Sequence, residues 1–172
     1  MVAAITLSSL SMLRLNSKPG EPLKPSDVQA QAGVDMQLWA WAKTANKERA
    51  ALETTEDQLR VFADLSDDAQ VAYLVVTLDQ VTKTPLVIEA LTRAWRRGDT
   101  AALDKGLNSD MDEFPALRKA LLHDRHVKWL PQIEGILNDG RTDLIVVCTA
   151  HLVGQDSVIA MLRAKGIKVE GP

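Results

Sequence analysis

Hydrophobic positions recur at helical spacing over most of this chain, and one stretch near its end breaks into a continuous apolar run. Val2–Leu15 reads as an amphipathic helix weakened by serines and β-branched residues, and Asn16–Ser26, with Pro19, Gly20, Pro22 and Pro25, as a loop. Leu38, Trp39, Ala42 and Ala45 fall three and four apart, which predicts a helix over Met36–Asn46 with Asp35 as its N-cap. Arg49–Glu53 is short enough to be a strand. Thr55 and Gln58 are spaced as a capping box opening a helix over Glu56–Asp64. Ser66, followed by Asp67 and Asp68, caps the next helix, which runs to about Val81. Thr84-Pro85 starts another with proline at its first position, Gly98 closes it near Arg97, and Asp99 begins a shorter helix to about Leu107.

Phe114–Leu137 is mostly helical, with Leu117, Leu121, Leu130, Ile133 and Leu137 as its core stripe. Pro131 removes a backbone donor there and predicts a kink or break near Leu130, and Gly140 ends the element. Leu144–Cys148 is the apolar, β-branched run, expected as a strand buried on both faces. The loop Thr149–Gly154, a helix over Gln155–Ala164, a stop at Gly166 and a strand at Ile167–Glu170 complete one right-handed βαβ unit. The expected fold is α/β, a small mostly parallel sheet with a large helical complement, in one domain over residues 1–172.

Composition narrows the function. At 46% hydrophobic, the chain can bury a core, and its net charge of −3 offers no basic footprint for nucleic acid. No run is long enough to span a membrane, and the apolar start lacks a charged region before it. A cytoplasmic protein without a signal peptide is therefore expected. One cysteine, Cys148, excludes an internal disulfide framework and reads as a buried, inert thiol.

Ligands in open α/β sheets gather beyond the carboxyl ends of strands, beside helix N-termini. His151 stands there, three residues past Cys148, and Glu53 occupies a comparable place after the shorter strand. By residue type alone, His151 is more often a packing residue than a ligand, and Glu53 a solvated carboxylate. His123 and His126 share one face of the long helix, and Arg125 and Trp129 another. Histidines on a charged helix are usually exposed and idle. There is no HExxH, CxxC pair, phosphate loop or GxSxG.

Three stretches carry a resemblance. Gly33-Val34-Asp35 followed by Ala51-Leu52-Glu53-Thr54 and Gln58-Leu59 looks like the middle of a TraB/GumN-family domain. Arg125-His126-Val127-Lys128-Trp129-Leu130-Pro131 resembles its Arg-Asn-x-x-Trp helix. His151-Leu152-Val153-Gly154-Gln155-Asp156, with Leu162-Arg163-Ala164-Lys165-Gly166, resembles its Gly-x-x-His-Leu-x-Gly close. The family is related to the Tiki metalloproteases and, more distantly, to ChaN- and erythromycin-esterase-like proteins.

The resemblance implies an α/β fold and a divalent-metal site, with His151 and Glu53 as ligands and Arg125 as the functional arginine. His126 stands where the family has asparagine, and as a neutral imidazole it is a third candidate ligand. The family's first Gly-x-x-His has no counterpart, so the chain is expected to be the later portion of a truncated domain. The second motif has Cys148 in place of its glycine, which is expected to hinder close approach of the backbone.

The implied activity is metal-dependent hydrolysis of a carbonyl substrate: an ester, a lactone such as an acyl-homoserine lactone, or a peptide. Glu53, Arg125 and His151 are the catalytic set, and the ion is manganese, cobalt, zinc or calcium. Asp35 or Asp156 would join an oxygen-rich calcium version. The other reading is a non-catalytic binding module derived from the family. An exposed sheet edge left by the missing strand would favour a homodimer.

Overall fold

Helix dominates the computed structural model, which describes residues 3–5, 14–15, 28–29 and 33–171. The strands are few and short. Two compact units are distinguished, one within Met1–Thr54 and Gln132–Cys148, the other within Thr55–Pro131 and Thr149–Pro172.

In the first unit, β1 (Ala3–Ile5) pairs in parallel with both β4 (Arg49–Ala50) and β5 (Leu144–Val146). Ala3 faces Arg49 and Leu144, and Ile5 faces Val146. A second, antiparallel pair joins β2 (Arg14–Leu15) to β3 (Val28–Gln29). The helix expected over Val2–Leu15 is therefore replaced by strand at both described places, in line with the β-branched residues at its start. The loop expected at Asn16–Ser26 lies outside the described residues.

The parallel partner of β5 is thus β1, not the C-terminal segment. Ile167–Glu170 forms no strand, so the expected βαβ unit is absent. In the apolar run Leu144 is exposed and Ile145 and Val146 are half-buried, rather than covered on both faces.

Helix α1 (Val34–Thr44) begins two residues before the predicted start. Gly33 is its N-cap, while Asp35 lies buried in the first turn instead of capping it. Ala42 packs on Val146, and the Arg49 guanidinium lies 4.8 Å from the centre of the Trp39 ring.

The second unit opens with α2 (Thr55–Ala63) and α3 (Asp67–Arg97). Ser66 caps α3 as predicted, its hydroxyl accepting from the Ala69 amide, and Gly98 closes it at φ 65°, where the left-handed conformation favours glycine. The predicted break at Thr84-Pro85 is absent. A proline deletes one backbone bond, but turns on either side keep theirs, and the C-terminal half is held by packing. Leu91 and Ala94 of α3 meet Leu103 and Leu107 of α4 (Thr100–Asn108), with Val153 completing the cluster. Asp99 caps α4 through the Ala102 amide.

After α5 (Pro115–Arg118) the backbone widens into a π-helical turn at Lys119–His123, then resumes as α6 (Asp124–Asn138). The interruption expected at Pro131 therefore lies earlier; Pro131 itself sits inside α6. The π turn carries an extra residue, which moves the inward face from Leu121 to Leu122, and Leu137 ends 54% exposed. The closing helix α7 (Val158–Ala164) is capped by Ser157, later than the predicted start at Gln155. Among the described residues no helix is long and apolar enough to cross a membrane.

Candidate functional site

The π turn delivers Arg125 and His126 to the first turn of α6, and a short 3-10 turn at Thr149–His151 presents His151 to them. Trp129, one turn further along α6, supplies the wall. It is fully buried; His126 and His151 are 1% and 3% exposed. The Trp129 ring centre lies 4.8 Å from that of His151 and 5.5 Å from that of His126. The histidine rings meet edge-on at 81°, 5.0 Å apart. The Arg125 guanidinium sits 5.0 Å from the Trp129 ring centre, within cation–π range.

Polar contacts join these groups in one chain. His126 Nδ1 lies 2.6 Å from the Asp156 carbonyl oxygen, His126 Nε2 lies 2.8 Å from His151 Nδ1, and His151 Nε2 lies 3.3 Å from Arg125 NH1. The same guanidinium nitrogen donates to the Leu121 carbonyl inside the π turn at 3.3 Å.

Burial is the main reason that His151 is pushed down to about 3, with the charge of Arg125 and the neighbouring His126 adding to it. Burial also lowers His126, against the opposing pull of the Asp156 carbonyl. Both imidazoles are therefore neutral near pH 7, the form that accepts a proton or binds a metal.

Arg118 pins the loop that carries His151 and Asp156. Its Nε lies 3.4 Å from an Asp156 carboxylate oxygen, and its NH1 donates to Asp112 at 2.8 Å and to the Asn108 carbonyl at 3.4 Å. Asn108 in turn donates to Asp104 at 2.8 Å and to the Ala150 carbonyl at 3.4 Å. At Gly154, φ is 88°, and a Cβ would stand 2.9 Å from the Asp104 carboxyl carbon. Only glycine suits both the conformation and the approach. A cleft of about 390 Å³ lined by Asp104, Asn108, Asp112, Arg118 and Asp156 adjoins this loop, and its lining does not include Arg125, His126 or His151.

Of the predicted site residues, Arg125, His126 and His151 come together. Glu53 belongs to the first unit, half-buried in a bend just before α2. The expectation that histidines on the long helix are idle fails for His126, which lies on the buried stripe of α6 with Leu130 and Ile133. Cys148 is buried as expected, and Asn46 is the one non-glycine residue with positive φ among those described. The glycine that Cys148 replaces is thus not required for backbone conformation here.

Two participants escaped sequence reasoning: the Asp156 carbonyl, which as backbone has no side-chain signature, and Arg118, whose partners are distant in sequence. Among the described residues no group of three His, Cys, Asp or Glu side chains is placed to hold a metal ion. Trp129 Nε1 is buried with no acceptor among them.

The model of the TraB/PrgY/gumN family matches residues 4–171, nearly the whole chain. The chain belongs to this family. No curated protein and no solved structure matches it.

Proposed function

We propose, from this family membership and the chain of contacts through His151, that the protein is a metal-dependent hydrolase acting on a carbonyl substrate. The substrate class is an ester, a lactone or a peptide. The single observation that carries this reading is a neutral, buried imidazole whose Nε2 lone pair is directed at an arginine. Arg125 is the group to anchor a substrate carboxylate or stabilise a developing oxyanion, since a guanidinium in a water-poor site acts strongly on such charge. Trp129 excludes water from one side of His151.

The donor chemistry of His151 fits manganese, cobalt or zinc. A bound ion would supply an activated water and a Lewis acid. His126 has both ring nitrogens engaged with protein partners, so it does not join the ligands in this arrangement. The three parallel strands are read as the sheet of a small α/β domain.

The test is hydrolysis of a short-chain nitrophenyl ester and of a lactone by metal-stripped protein, before and after manganese or zinc is restored. Turnover restored in the wild type and absent from His151→Ala is expected. A folded sample inactive with every ion would overturn the hydrolase. One observation favours a second reading, a non-catalytic binding module: the His151 lone pair already receives an Arg125 N–H, which an ion would have to displace.

A further inference from the structure

We propose that His126 is a positioning residue, which holds His151 in its Nδ1–H tautomer and so reserves the Nε2 lone pair for the partner that the site binds. The inference rests on reading His151 as the functional histidine.

The assignment follows from the two ends of the chain. A carbonyl oxygen only accepts, so His126 Nδ1, at 2.6 Å from the Asp156 oxygen, carries a proton. In a neutral ring that leaves Nε2 as the lone pair, and His151 Nδ1, 2.8 Å away, must be the donor. The opposite end gives the same answer independently. A guanidinium only donates, so His151 Nε2, 3.3 Å from Arg125 NH1, is an acceptor. Reversing the direction would set an N–H of His151 against an N–H of Arg125. It would also place two protons on His126, a cation 1% exposed.

This direction decides what His126 can do. A metal ligand or general base needs a free lone pair, and the only one His126 has is spent on His151. What remains is orientation: an imidazole whose second nitrogen donates to a fixed acceptor is held in tautomer and in ring plane. The acceptor is well held. Asp156 is tied through its carbonyl to His126 and through its carboxylate to Arg118, while Trp129 packs against both imidazoles.

Two-bond proton–nitrogen correlation spectra of the histidines in ¹⁵N-labelled, metal-free protein test this. In the wild type, His151 is expected with a protonated Nδ1 and a lone-pair Nε2. Because Arg125 also favours an Nε2 lone pair, its donor is removed as well: in Arg125→Met, His126 alone is expected to keep His151 as Nδ1–H, and in Arg125→Met/His126→Leu His151 is expected to redistribute toward the Nε2–H tautomer that a free imidazole prefers. An Nε2–H His151 in the wild type or in Arg125→Met, or an unchanged Nδ1–H His151 in folded Arg125→Met/His126→Leu, would overturn the proposal. If the leucine variant does not fold, His126→Gln replaces it, again in Arg125→Met, with the opposite reading. Its amide oxygen reaches the place of Nε2, so retention of Nδ1–H supports the role and its loss overturns it. The spectra need neither metal nor substrate. A protein with the expected tautomer but no turnover would overturn the hydrolase and leave the positioning role standing.

Discussion

At the residue scale, burial sets the behaviour of the histidine pair. His151 titrates near 6.5 in an unfolded chain and near 3 in the folded one, so between those values only the unfolded chain takes up the proton. The stability tied to this group is complete above about pH 6.5. It falls as the pH drops toward 3, by up to about 1.4 kcal/mol per pH unit. His126 shifts in the same direction and adds to the loss. Urea midpoints at pH 5 and pH 7 are expected to differ more in the wild type than in His151→Asn; equal differences would refute the linkage. Arg125→Met removes both the cation and the donor at Nε2. Zinc is then expected to bind more tightly, while ester hydrolysis slows by about 10²-fold, the cost typical of losing one oxyanion donor. Hydrolysis left intact would remove Arg125 from the reaction.

At the scale of elements, capping chemistry was the legible part. Ser66, Gly98 and Asp99 each do what their types predict, because a cap is a local contact within three or four residues. What misled was proline. Both Pro85 and Pro131 lie within helices, whereas the break that matters, the π turn at Lys119–His123, has no proline or glycine to announce it. His126 lies four and seven residues before Leu130 and Ile133 on the same buried stripe, so its inward position is readable from the 3.6-residue period, whereas its contact with His151 is not. The terminal strand failed for a related reason: Ile167–Glu170 has strand-forming residues, but β5 finds its parallel partner in β1. Gly154→Ala is expected to lower stability by about 1–2 kcal/mol from the positive φ alone, with further loss from crowding Asp104. The same change at Gly98, where nothing lies within 4 Å, should cost the conformational part alone, about 1–2 kcal/mol. Denaturant unfolding of the two variants compares them directly, and equal costs would argue against the contact with Asp104.

At the scale of the whole molecule, family membership extends over nearly the entire chain, while the histidine site is contained within one of its two units. The resemblance of Arg125-His126-x-x-Trp129 and His151 to family motifs points to Arg125, His126 and His151 from the sequence alone. Their order in the contact chain needed the structure, since tautomer and direction depend on a backbone carbonyl. Neutral imidazole, arginine and an apolar wall are the parts that a carbonyl hydrolase and a binding module would share, and metal affinity at His151 separates the two. Calorimetric titration of zinc into metal-stripped wild type and His151→Ala measures it. One ion is expected to bind the wild type, with affinity weakened by at least about 10-fold in the variant, the lower end of what even an orienting partner contributes. Equal affinities in the two proteins would contradict this expectation.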